Sequence, residues 1–184
     1  MFIDPPPDQI IKVPITIPSM SNPRTRTISW EDPRSLAEAA AGLSGMEFLQ
    51  KIVSGELPPP PLGALLNFRL AELSEGRAVF LVEPAEYHYN PIGVVHGGVA
   101  ATLLDSAMGC AVHSTLPAGV GYTTLEVKVN YIRPMLAETG EVRCEANVIH
   151  VGARTATAEG KILDARGKLY AHGTTTCIIF RPSK

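Results

Sequence analysis

The chain has 184 residues, 45% of them hydrophobic and 18% charged, with 16 basic and 18 acidic side chains and a formal charge of −2. That length suits one domain with an appendage and room for a sizeable core. The near balance of charge, with no basic block and no basic stripe interleaved with aromatics, excludes the electrostatic footprint of a nucleic-acid binder. Cys110, Cys144 and Cys177 are odd in number, widely spaced and set among apolar residues, so neither a disulfide framework nor a metal-ligand pair is indicated and a reducing interior is expected.

The opening MFIDPPPDQI lacks the basic-then-apolar order of a signal peptide, and the longest apolar region is broken by Asp105 short of a membrane span. The expectation is a cytoplasmic protein with no membrane partner. Residues 1 to 31 hold prolines at 5, 6, 7, 14, 18 and 23 and read as an arm, with strand character only from Ile10 to Ile17. Asp32-Pro33 forms a cap followed by Pro at the first helical position, ahead of the Ala-rich SLAEAAAG. Ser44 and Glu47 have capping-box spacing; Met46, Leu49 and Val53 then share one face of a helix that Gly55 ends. This predicts an amphipathic helix lying over the main domain, with a specific lid role as the alternative. The arm and these helices, 1–57, form one unit, and the main domain, 58–184, begins with the stiff connector Pro58 to Pro61.

Leu66, Phe68 and Leu70 alternate with Asn67 and Arg69, and Ser74-Glu75-Gly76 turns the chain into Ala78 to Val82, so a hairpin is expected. A loop carrying Tyr87, His88 and Tyr89 leads to Asn90, then to a Gly-rich bend and a long helix ending near Ser114. Beyond it the period is two. Leu125, Val127, Val129 and Tyr131 alternate with Glu126, Lys128 and Asn130 until Pro134 ends the strand. Val142 to Val148, Ala156 to Ile162 and Lys168 to Phe180 follow, with turns at Gly152 and Ala165-Arg166-Gly167. Two strands, one buried helix and four more strands joined by short turns imply an α+β fold, a largely antiparallel sheet of about six strands wrapped around one helix.

That central helix starts near His96-Gly97-Gly98 and carries one ionisable group before its last turn, Asp105. A helix apolar on every side is expected to be buried on every side, where an unpaired carboxylate is destabilising. Its first turn offers unpaired N–H groups, glycines there let a ligand oxygen approach, and the dipole favours negative charge, so the end can act as an oxyanion hole. For a bare Gly-Gly, tight packing of the helix start is the favoured explanation, and a carboxylate satisfied by backbone donors or a nearby Ser or Thr explains Asp105 as well as a functional role does. Asp105 follows His96 by nine residues, which places it on the opposite side of the helix and roughly 13 Å further along. The two cannot meet around one substrate atom within one subunit. The five histidines show no metal-ligand spacing, and Ser106 and Ser114 lack a G-x-S-x-G context.

Asn90, His96-Gly97-Gly98, Asp105 and a strand ending at Pro134 together resemble the PaaI-like branch of the hotdog-fold acyl-CoA thioesterases, over roughly Leu62 to Phe180. The resemblance implies that Asp105 is the general base or nucleophile at the thioester carbon. Gly97 would polarise the thioester carbonyl through its backbone N–H, with His96 and Asn90 supporting and orienting the site. It implies active sites shared across a homodimer, dimers that commonly pair into a homotetramer, an acyl-CoA substrate and no cofactor. Counting back from Pro134 brings Thr124 to a family Ser/Thr position near the acid; alternation alone favours Thr123, and a bulge would reconcile them. Lys128, Arg133, Arg143 and Arg154 are candidates for the CoA nucleotide only as basic residues. Hydration of an enoyl thioester and non-catalytic binding of acyl-CoA stand as alternatives.

Overall fold

In the computed structural model the described residues are 22–181, so the strand character of Ile10 to Ile17 lies outside them. The elements are α1 (Pro33–Ala39), α2 (Gly45–Ser54), α3 (Pro61–Leu66), β1 (Phe68–Ser74), β2 (Arg77–Val82), α4 (Gly97–His113), β3 (Gly121–Tyr131), β4 (Val142–Val151), β5 (Thr155–Asp164) and β6 (Leu169–Phe180). All six strands form one antiparallel sheet in the order β1-β2-β4-β5-β6-β3, with β1 and β3 at its edges.

The sheet wraps around α4, as the strand and helix order leads one to expect. Ala100, Leu103, Leu104, Ala107, Met108, Ala111 and Val112 of α4 are buried, and the inward residues of the strands recur at every second position, as with Val142, Cys144 and Ala146 of β4. Burying each of the larger side chains contributes about 1.5–3 kcal/mol. Close approach of sheet to helix relies on Gly160, where a Cβ would come within 3.1 Å of Leu104 and 3.2 Å of Met108.

Helix α2 forms as its capping box specifies: Ser44 accepts from the Glu47 amide, Glu47 reaches back to the Ser44 amide, and Gly55 ends α2 in the left-handed region at φ 80°. Leu49 is buried, and α2 lies over β1 and the end of α4. Its first residue is pinned: the Gly45 amide donates to the Leu116 carbonyl at 3.0 Å, and a Cβ on Gly45 would sit 1.8 Å from the His113 carbonyl oxygen.

Two details differ from the alternation. Leu66 ends α3 instead of opening the hairpin strand, because Pro61 sits in the first turn of a helix that Asn67 closes at φ 54°. Leu125 does not face the core; a bulge between Thr124 and Glu126 turns it outward, 58% exposed, and Tyr131 at the end of the same strand is 57% exposed.

Candidate functional site

The loop before α4 is shaped by Asn90. Its Oδ1 accepts from the amides of Ile92 (3.1 Å) and Val94 (3.3 Å), while its own amide donates to the Val94 carbonyl at 2.8 Å. Side-chain amides of this kind replace the missing backbone ladder of a turn. Gly93 at φ 81° completes it.

Behind the loop, His88 is buried. Its Nδ1 accepts from the Ala85 amide at 3.1 Å and its Nε2 faces the Leu66 carbonyl at 2.9 Å, an arrangement that requires the neutral Nε2–H tautomer. Burial holds its pKa below the ordinary histidine value, with Arg26 opposing protonation further. The His88 carbonyl in turn accepts the His96 amide at 2.8 Å, fixing the helix start.

His96 caps α4: its Nδ1 accepts from the Gly98 amide at 2.8 Å, and its carbonyl accepts from the Val99 amide at 2.9 Å. With Gly98 and Val99 engaged, the Gly97 amide is the first-turn donor that has no acceptor among the described residues. Tyr131 lies against it. The Tyr131 hydroxyl donates to the Gly97 carbonyl at 3.1 Å, and the ring is so close that a Cβ on Gly97 would come within 3.1 Å of it. Gly97, Asn90, Ala100, Tyr131 and Met135 line a cavity of about 320 Å³.

Asp105 is half-buried two turns further along, where Thr124 Oγ1 donates to its Oδ1 at 2.9 Å. The bulge at Leu125 is what makes this possible: Tyr122 and Thr124 face inward before it and Val127 and Val129 after it. Alternation through Leu125 without the bulge points Thr123 inward, whereas Thr123 is exposed. Asp105 lines two cavities, one of about 450 Å³ with Thr102, Val127, Val129 and Tyr131, the other of about 600 Å³ beneath α2. Neither includes Gly97, so the structure brings Thr124 to Asp105 and Asn90 to Gly97, but leaves the two groups apart within one chain.

Several side chains around Asp105 were not singled out from the sequence. Cys110 lines the larger cavity with its thiol pushed up to about 12, first by burial and then by the Asp105 charge, so it is a neutral thiol rather than a nucleophile. Burial likewise lowers the pKa of His113 and raises that of Tyr122. Tyr131 had one usable signal, the Gly-Gly pair, since a ring laid on a helix start demands the absence of a side chain there.

Among the basic candidates, Arg143 is committed to Glu72 at 3.1 Å, and Arg133 donates to the Leu169 carbonyl at 2.6 Å while standing at the rim of the Gly97 cavity. Lys128 and Arg154 are exposed. Among the described residues no group of three or more His, Cys, Asp or Glu side chains could hold a metal ion, and no helix is long and apolar enough to cross a membrane.

The sequence pattern of the thioesterase superfamily matches residues 92–171. Over 69 residues the chain is 44% identical to a protein of Halobacterium salinarum that carries an esterase name, a match spanning 36% of this chain and 44% of that one, less than half the relative's length. It is 30% identical over 109 residues to human acyl-coenzyme A thioesterase 13, covering 58% of this chain and 76% of the relative. Among solved structures, a mutant of the phenylacetic acid degradation protein PaaI from Thermus thermophilus is 30% identical and superposes with a TM-score of 0.59, over 67% of this chain and 100% of that one. The shared architecture is the hotdog fold, a six-stranded antiparallel sheet packed on α4.

Proposed function

This chain belongs to the thioesterase superfamily, and we propose that it hydrolyses an acyl-CoA thioester to the free carboxylic acid and CoA at a site shared between two copies of the chain. The observation that carries the reading is the pairing of Asp105 with Thr124 at 2.9 Å on a helix whose N-terminus keeps the Gly97 amide free among the described residues. A hydrolase needs a carboxylate to handle the proton of water and a donor for the oxygen that becomes negative.

In the base route, Asp105 takes a proton from water as the water oxygen bonds to the thioester carbon. The carbonyl π pair moves onto oxygen, and the partner subunit's Gly97 amide donates a hydrogen bond to the oxyanion so formed. The intermediate then collapses, the C–S bond breaks, and the proton held by Asp105 passes to the departing thiolate. In the nucleophilic route the Asp105 oxygen itself bonds to carbon, the C–S bond breaks and CoA leaves as thiolate. Water later cleaves the resulting anhydride to the free acid and the Asp105 carboxylate, the proton released in that step balancing the one the thiolate takes up from solvent. Oxyanion donors of this kind are worth on the order of 10²–10³ in rate. Asn90 shapes the loop that presents Gly97, and His96, by engaging Gly98 through Nδ1, keeps the second amide occupied and the first available.

The requirement for a second copy comes from the helix itself: Gly97 and Asp105 are eight residues apart, about 12 Å along the axis. Strand β3 supports the assembly, since it is an edge of the sheet and carries exposed Leu125 and Tyr131. Unpaired edges with apolar side chains favour pairing with another strand.

The test is release of free thiol from a panel of acyl-CoA and aryl-CoA thioesters by the wild-type protein and by Asp105→Asn. We expect turnover of at least one thioester and a loss of at least a hundredfold in the variant. Equal turnover by the two proteins removes Asp105 from its assigned role.

A further inference from the structure

The larger cavity at Asp105, about 600 Å³, is a seam in the fold. Its walls include Phe68 and Leu70 from β1 and Tyr122 and Thr124 from β3. Those strands lie at opposite ends of the sheet order, so the cavity marks where the wrapped sheet fails to close around α4. What covers the opening is α2 and the proline connector, through Phe48, Ile52, Val53 and Pro58 to Pro60. This cover lies outside residues 92–171, the part that matches the superfamily pattern.

The cover is a fixed roof. Gly45 is hydrogen-bonded to Leu116 and leaves no space for a Cβ, and the Phe48 ring lies tilted with its centroid 5.8 Å from that of His113, itself 5.3 Å from the Tyr122 ring. The floor is a single stripe of α4. Asp105, Ser106, Gly109, Cys110 and His113 line the seam at intervals of four residues and their neighbours, and Gly109 is tight against the Tyr122 hydroxyl, where a Cβ would come within 2.8 Å.

Length follows from the stripe. The eight residues from Asp105 to His113 span about 12 Å at roughly 1.5 Å per residue, and each C–C bond of an extended chain advances about 1.3 Å, given a bond near 1.5 Å and tetrahedral angles. The seam therefore accommodates about nine bonds. Burial keeps the Cys110 thiol, the His113 imidazole and the Tyr122 hydroxyl uncharged at neutral pH, which suits an apolar occupant.

Resting on the hydrolase reading above, we infer that the seam beneath α2 is the acyl chamber and that it takes a straight-chain acyl group of about eight to ten carbons. The thioester carbon lies at Asp105 and the methyl end beneath Phe48, beside His113. Helix α2 then sets the acyl length, a role for a segment that precedes the catalytic fold.

Steady-state thiol release from straight-chain acyl-CoAs, acetyl to tetradecanoyl, tests this with the full-length protein, Ile52→Trp, which fills the chamber, and Phe48→Ala, which lengthens it. Folding of each variant is checked by far-UV circular dichroism. For the wild type, kcat/KM should rise by up to about fourfold per added methylene and peak at octanoyl to decanoyl. Ile52→Trp should lower the octanoyl-to-acetyl ratio at least tenfold, and Phe48→Ala should move the peak to longer chains. A flat wild-type profile, a higher kcat/KM for phenylacetyl-CoA than for any straight chain, or unchanged ratios in both folded variants overturns the chamber while leaving the hydrolase intact. Should the wild type release no thiol from any thioester, the hydrolase reading fails and calorimetry decides the chamber. Decanoyl-CoA bound at least tenfold more tightly than acetyl-CoA, with the advantage lost in Ile52→Trp, supports it; equal affinities overturn it.

Discussion

Replacing Thr124 by valine removes one oxygen and keeps the β-branched shape that suits a strand, so it isolates the hydroxyl that donates to Asp105 at 2.9 Å. A hydrogen bond to a charged group contributes about 1.5–3 kcal/mol. Both residues are half-buried and reached by solvent, which argues for the lower end of that range. About 1.5 kcal/mol corresponds to roughly tenfold in rate. Thr124→Val is therefore expected to lower kcat about tenfold on whichever thioester is turned over best, with KM within about twofold of wild type, since the hydroxyl orients the acid rather than binding the ligand. The decisive measurement is the cycle with Asp105→Asn. If the hydroxyl works only through the carboxylate, Asp105→Asn/Thr124→Val will be no slower than Asp105→Asn within about twofold. A wild-type kcat for Thr124→Val, or a double variant whose loss is the product of the two single losses, refutes the reasoning.

The remaining predictions concern stability, pH and assembly. Gly45→Ala places a methyl group 1.8 Å from the His113 carbonyl oxygen, a backbone atom that cannot rotate away; we expect α2 to lift, at a stability loss of about 1–3 kcal/mol in denaturant unfolding and with faster proteolysis within residues 45–60. His88 and His113 both have pKa values held below 6.5 by burial, so the unfolded chain takes up protons first, and stability present above that pH is lost as pH falls through and below it. Denaturant midpoints at pH 7.5 and 5.5 should show this loss, and His113→Phe should reduce the difference. Leu125→Arg puts a charge on the exposed edge of β3 and should shift sedimentation from dimer to monomer with a parallel loss of thiol release; a variant that is monomeric and fully active rules out the shared site.

Much of the fold was legible because its elements are locally consistent. The capping box of Ser44 and Glu47, the Pro33 start of α1 and the period-two runs of β4, β5 and β6 each state one structure, and the sheet and helix obey them. The misreadings fall where one residue changes the phase of a pattern. Leu66 and Phe68 share an alternating pattern, yet Asn67 in the left-handed region separates a helical turn from a strand, a conformation that short polar residues tolerate without advertising it. At Leu125 the bulge inserts one residue and inverts every face after it, which is why Thr124 and Val127 can both point inward although an odd number of positions separates them. A bulge carries no obligatory residue type, so alternation alone favours Thr123, and only the count back from Pro134 reaches Thr124.

The candidate site was legible to the degree that its parts lie on one element. Asp105 and Gly97 are both on α4, and helical arithmetic is enough to say that they sit about 12 Å apart, the separation on which the proposal of a site shared between two copies rests. The cavity beneath α2, the proposed acyl chamber, is the opposite case. Its walls come from α2, the proline connector, β1, β2, α4 and β3, and the two edge strands meet there only because the sheet curls around the helix. No periodicity in Phe48, Ile52 or Val53 says what they face, since an amphipathic helix presents the same pattern to a filled core and to a cavity. The distinction lies in the far wall. Opposite α2, the α4 stripe is built from small or polar residues, Asp105, Ser106, Gly109 and Cys110, where a sealed core would be completed with larger apolar side chains. An apolar roof above a stripe too small to fill the space is the arrangement of a chamber that a ligand completes, and Asp105, the proposed catalytic acid, lies at one end of that stripe.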